Sequence, residues 1–254
     1  IIDAISNHHA DLLTSKFPIN TFNLKKNNYR YDISANDLAN FPDISKDWKE
    51  FINFHCSKDF FLQLANLFKE HLPFEALQKG DINQFKTGIR FADSPADNDI
   101  LLDAQISINT PVIQMGSVRK IHVDNTNKLF SGLFYLRQAN DDSNGGNLQL
   151  FSWKRGISNK EKIKLYQEGV QKKYCKLEKE IKYQNNICIL FLNSLDALHS
   201  VSPREETGHV RTFVNLVGEL PYDIFQKHSF FEKRFIKLKQ FLVKIKSFFI
   251  SYFI

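Results

Sequence analysis

The chain has 254 residues, 43% hydrophobic and 24% charged, with a formal net charge of +6. That is apolar material for a sizeable core, yet no run reaches the uninterrupted apolar length of a membrane span. Residues 227–254 hold seven Lys/Arg against one acid; taking these from 34 basic and 28 acidic residues leaves a body balanced at 27 against 27, with no electrostatic case for binding nucleic acid.

Taken in chain order, DAISNHHADLLTSKF reads as a helix through Ile5, Leu12 and Leu13. His9 and Asp11, two apart on it, diverge by about 200° and count as solvated surface. A second helix is predicted over 57–72, where Phe60, Phe61, Leu64, Leu67 and Phe68 recur at helical spacing and Ser57 is placed as N-cap. From about residue 83 the pattern turns to short β-prone runs: FKTGIRF, LLDAQISINT, VIQMGSVRKIHV, LFSGLFYLR and NLQLFSW, then NICILFL and VRTFVNLVGEL. The turn clusters NDDSNGG and SPREETG separate them. Between the strands, residues 158–183 are highly charged with interleaved acids. They are read as one mostly exposed helix opened by a Ser158/Glu161 capping box.

The tail, 227–254, is predicted as a basic amphipathic helix. Its stripe is Phe231, Phe235, Leu238, Leu242, Ile245, Phe249 and Tyr252, with Lys233, Lys237 and Lys244 opposite. It is expected to pack on the β core or on a second subunit, an anionic membrane surface being the alternative. The fold class is therefore mainly β with flanking helices (α+β), a sandwich or barrel. Residues 1–226 are taken as one domain, with a helical part over 1–82 and a β core over about 83–220. Cys56, Cys175 and Cys188 have no paired spacing, and IIDAISNHHADLL lacks the layout of a secretory signal. A cytoplasmic setting is expected.

The segment KIHVDN carries the first chemical signal. Residues i and i+2 of a strand share a face, so His122 and Asp124 would converge. A third ligand has to come from elsewhere, and His199 is the candidate, at the end of the apolar run ICILFLNSLDAL and before a Ser-Pro turn. Two imidazoles and one carboxylate leave three of six positions open, which suits non-haem Fe(II), although zinc takes the same ligands. Twelve residues on, Arg211 shares a strand face with Phe213. A fixed guanidinium there calls for an anion, such as the far carboxylate of a dicarboxylate chelating the metal. Arg204 is a rival anchor, ranked lower because it follows Pro203 in a turn.

The run IHVDN, LFSGLFYL, NGGNLQLF, LHSVSP and GHVRTF resembles the 2-oxoglutarate- and Fe(II)-dependent oxygenases, especially their prolyl-4-hydroxylase-like branch, over roughly residues 112–217. The resemblance implies a double-stranded β-helix (jelly roll) core. It also implies a facial triad of His122, Asp124 and His199, with Arg211 on the distal carboxylate of 2-oxoglutarate and Tyr135 supporting it. Gly145 and Gly146 match the family's glycine step. The charged insert and the His199–Arg211 spacing are longer than the family's pattern. The implied activity is hydroxylation of an aliphatic carbon of a small molecule, using Fe(II), 2-oxoglutarate and O2 and releasing succinate and CO2. Related halogenases carry a small residue where Asp124 stands, so hydroxylation or desaturation is expected instead of halogenation.

Lys86, Arg90, Arg119 and Lys120 would favour an anionic substrate, though ordinary salt bridges explain them equally well. The pocket is expected to be shaped by FKTGIRF, QISINTPVIQMG and the 154–183 insert. The alternatives are a prolyl or other protein-residue hydroxylase of the same chemistry, a non-catalytic metal-binding jelly-roll module, and a zinc hydrolase, for which no general base is apparent.

Overall fold

The computed structural model describes residues 1–78 and 80–225; the predicted basic helix at 227–254 lies outside the described residues. The N-terminal part contributes α1 (Asn7–Ser15), β1 (Arg30–Ile33), α2 (Lys46–His55), α3 (Lys58–Leu67) and the single turn α4 (Phe74–Leu77). Then come β2 (Thr87–Ile89), β3 (Ile100–Asn109), β4 (Lys128–Tyr135) and β5 (Leu148–Trp153). After α5 (Asn159–Glu168) follow β6 (Cys175–Ile181), β7 (Ile187–Leu192), β8 (Leu198–Val201) and β9 (Arg211–Glu219). Ser57 caps α3 by accepting from the Phe60 N–H, and Ser158 with Glu161 forms the reciprocal box that opens α5. Caps of this kind stabilise by about 1 kcal/mol each.

Alternation along β3 decides how the larger sheet sits. ILLDAQISIN places Ile100, Leu102, Ala104, Ile106 and Ile108 on one face, and Asp103, Gln105, Ser107 and Asn109 on the other. The apolar face joins one core with Trp48, Ile52, Phe61 and Leu64 of the helices. There the Trp48 indole N–H also finds the Leu13 carbonyl at 3.1 Å. The sheet runs β1-β3-β9-β4-β7, with β2 added beside β3; all pairs are antiparallel except β2 with β3.

The second sheet is β6-β5-β8, all antiparallel. Beyond β8 the segment 112–122 lies alongside through single bridges: Val112 with Thr207, Gly116 with Arg204, His122 with His199. Tyr135, Leu148, Tyr183, Ile187 and Phe213 pack the two sheets' inner faces together at one end. Among the described residues no helix is long and apolar enough to cross a membrane.

Three expectations are corrected. The segment 158–183 is not one helix: α5 ends at Gly169, whose φ of +93° breaks it, and Cys175–Ile181 is the edge strand β6. Its charges hid it. Exposed edge strands tolerate charge, and here Glu178 and Glu180 accept from Ser152, Gln149 and Asn147 across the pair. VIQMGSVRKIHV is not a continuous strand but an extended segment held at intervals by those single bridges. His199 does not end the ICILFL strand; residues 193–197 turn the chain from one sheet to the other, and His199 is the second residue of β8.

Candidate metal centre

His122 and His199 sit directly opposite each other in the second sheet. The His122 N–H donates to the His199 carbonyl at 3.0 Å, and the His199 N–H returns the bond at 2.9 Å. Directly paired residues put their side chains on one face, and the two imidazole centroids are 4.2 Å apart. Asp124, two residues further along extended backbone, returns to that face; its Oδ1 is 3.7 Å from His122 Nε2. One ligand atom from each of the three lies within 4.8 Å of the other two.

The donor set fits a divalent cation. His122 Nδ1 lies 2.8 Å from the Lys120 carbonyl, and His199 Nδ1 lies 2.9 Å from that of Ala197. A carbonyl only accepts, so each Nδ1 carries the proton and each Nε2 offers its lone pair. Burial, with the neighbouring His199 and Arg119, pulls His122 down to about 3; burial also lowers His199, so both rings are neutral near pH 7. Burial alone would raise the Asp124 carboxyl, but the Lys128 ammonium and the Ser131 hydroxyl hold it below the usual carboxylate range. Ser131 Oγ donates to Asp124 Oδ2 at 2.5 Å, and Lys128 Nζ stands 3.4 Å from the same oxygen. Asp124 thus keeps Oδ1 for the face shared with the imidazoles.

Arg211 opens β9 and is 1% exposed. Its Nε donates to the Gly146 carbonyl at 2.9 Å and one terminal nitrogen to Asn109 Oδ1 at 3.1 Å; the other terminal nitrogen has no hydrogen-bond partner. The guanidinium lies among the rings of Tyr135, Tyr183 and Phe213, 4.7 to 5.0 Å from their centroids. A buried cation held only by neutral groups is costly unless an anion completes it. Tyr135 is fully buried with its ring against the guanidinium and its hydroxyl outside good hydrogen-bond geometry, and it does not itself line the cavity described below.

Arg204, the rival anchor, is equally buried but complete. It donates to the carbonyls of Thr110 and His209 and to Asn28 Oδ1, at 2.8 to 3.3 Å, and it does not line the cavity described next.

A cavity of about 370 Å³ between the sheets is lined by the triad and Arg211 together, with Asn109, Phe191 and Phe213 between them. Arg90 and Arg119 line it too; Lys86, Lys120 and the 154–183 insert do not, so the insert does not shape this pocket. A larger surface groove, about 660 Å³, runs past α1 and residues 137–141. Its guanidinium, Arg137, is committed to the carbonyls of Asp141, Tyr183 and Ser143, and the groove holds no comparable ligand set among the described residues.

Sequence reading missed Asn109, Ser131 and Tyr183. Polar residues at every second place of DAQISIN pointed to Asn109; nothing local marked the other two, which act through contacts across strands.

Comparison with known proteins adds little. No protein-family model matches the chain, and no curated protein does. Among solved structures, a prolyl-4-hydroxylase from Pseudomonas putida is similar at 11% identity, over 87% of this chain and 90% of that one, with a TM-score of 0.46. A likeness at that level carries no inference about activity.

Proposed function

We propose that the chain is an Fe(II)- and 2-oxoglutarate-dependent oxygenase that hydroxylates an aliphatic carbon of a small molecule, releasing succinate and CO2. One observation carries this reading: a two-imidazole, one-carboxylate set and a buried arginine lacking an acid partner line the same small cavity. His122, Asp124 and His199 would hold the metal. Bound there, Fe(II) supplies dioxygen activation coupled to oxidative decarboxylation of the co-substrate.

The remaining roles belong to this chain's side chains. Arg211, through its unpartnered nitrogen, would take the distal carboxylate of 2-oxoglutarate, with Tyr135 beside it. Asn109 and the Gly146 carbonyl fix the fork's orientation, and the flanking aromatic rings keep water from the pair. Ser131 and Lys128 orient Asp124. Within the six-stranded sheet, the order β3-β9-β4-β7 faces residues 112–122, β8, β5 and β6 in the other, and this order supports a double-stranded β-helix core. The cavity's volume lies at the small end of the range usual for small-ligand sites.

The test is anaerobic. Fe(II) with 2-oxoglutarate should give a weak visible charge-transfer band in the wild type and none in His199→Ala. Succinate release on admitting air follows if the reading holds. A wild type that binds Fe(II) but develops no band removes the co-substrate from the proposal.

A further inference from the structure

Five cations face the cavity: Arg30, Arg90, Arg119, Lys128 and Arg211. Three of them have acids of their own. Arg30 Nε sits on the Asp32 carboxylate at 2.9 and 3.1 Å, Arg90 on Glu219 at 2.8 Å with Asp103 at 3.5 Å, and Lys128 on Asp124 at 3.4 Å. Arg211 is the residue given to 2-oxoglutarate above. That leaves Arg119, which has no carboxylate within ion-pair distance among the described residues.

Its one guanidinium bond is unusual. Arg119 Nε donates to His122 Nε2 at 2.9 Å. That nitrogen is the very lone pair the triad offers a metal, because His122 Nδ1 is already turned to the Lys120 carbonyl. A lone pair cannot accept from a guanidinium and coordinate a cation at once. Metal binding therefore breaks this bond. Arg119 is then left at the solvent-exposed rim of the cavity, beside the metal, with every guanidinium N–H unmatched.

Resting on the oxygenase reading, we infer that Arg119 is the anion-binding residue for the primary substrate, released from His122 when the metal enters. The substrate class that fits is a small molecule with a carboxylate or other compact oxyanion, held so that its reacting carbon lies over the metal. Arg119 stands next to His122, on the wall formed by the second sheet, whereas Arg211 belongs to the opposite sheet. The two guanidinium groups thus serve separate anions, the outer one for substrate and the buried one for co-substrate. The exposed position also lets Arg119 attract an anion before docking, by an amount that salt would reduce. Of the four basic residues that composition alone leaves equivalent, Lys86 and Lys120 lie outside the cavity and Arg90 is matched by acids.

Calorimetric zinc titration of the metal-free full chain tests the release step, and Arg119, being exposed, can be changed without disturbing the core. Arg119→Gln should bind zinc about three- to tenfold more tightly than wild type, the factor expected from removing one competing hydrogen bond. Equal or weaker zinc binding by the variant overturns the inference while leaving the metal site standing. Failure of the wild type to bind zinc overturns the metal reading, and this inference with it. The anion step is read from the Arg119 Nε–H resonance, assigned by its loss in Arg119→Gln. In protein loaded with zinc and 2-oxoglutarate, acetate should shift it saturably and acetamide should not. No saturable shift with acetate, or an equal one with acetamide, refutes the assignment to substrate anion, as does loss of 2-oxoglutarate binding in Arg119→Gln.

Discussion

The Gly146 carbonyl accepts from Arg211 Nε at 2.9 Å, and the same glycine leaves open the space against which the arginine's Cδ packs. A Cβ at Gly146 would lie 3.0 Å from Arg211 Cδ and 3.1 Å from Arg204 Cγ, and the residue's φ is +72°. Gly146→Ala should therefore cost about 1–2 kcal/mol in chemical denaturation, the usual penalty of left-handed backbone. It should weaken 2-oxoglutarate binding more than zinc binding. Equal losses of both would mean that Gly146 supports the site only through the fold.

Replacing Arg211 should separate co-substrate from metal. Arg211→Gln removes up to two charge-assisted bonds to the carboxylate, so 2-oxoglutarate affinity should fall by about a hundredfold. Zinc affinity should change little. Arg211→Lys should rescue poorly, because an ammonium cannot reach the Gly146 carbonyl, Asn109 and a carboxylate as one planar fork. Calorimetry with zinc and then 2-oxoglutarate reads both constants.

Ser131→Ala should act on the metal alone. It leaves Asp124 Oδ2 with Lys128 but without its 2.5 Å hydroxyl donor. Zinc affinity should drop by about 10- to 100-fold, the usual effect of losing a partner behind a ligand. An unchanged constant would show that Lys128 alone orients the carboxylate.

Acid should destabilise the chain through His55. Its ring is buried among Phe51, Phe54, Phe60 and Phe134, and burial lowers it to about 4, against which the Phe51 carbonyl acts only partly. Above pH 6.5 the ring is neutral in both folded and unfolded chains and contributes nothing to the pH dependence. Between 6.5 and about 4 only the unfolded chain takes up the proton, so stability falls with pH, by on the order of 3 kcal/mol across that window. Denaturation at stepped pH should show a shallower fall in His55→Leu; an identical slope would remove His55 as the cause.

How much of this was legible in the chain depends on the range of the interaction. Helical spacing with Ser57, alternation along ILLDAQISIN, and the His-x-Asp step are local periodicities, set by backbone geometry over a few residues. They are readable without a fold. Where local composition and nonlocal pairing disagreed, pairing won: CKLEKEI is charged enough to suggest helix, yet it is the edge strand beside β5.

By itself, then, the sequence determined the β-rich class, the starts of α3 and α5 and the common face of His122 and Asp124, while α2 went unread. Only the tertiary structure decided that His199 lies opposite His122, that Arg204 is a complete structural residue while Arg211 is not, and that Arg119 leans on the metal-facing nitrogen. The reason is physical. Side-chain direction follows from a two-residue repeat, whereas register between strands 77 residues apart depends on how two whole sheets pack and which buried donors find partners.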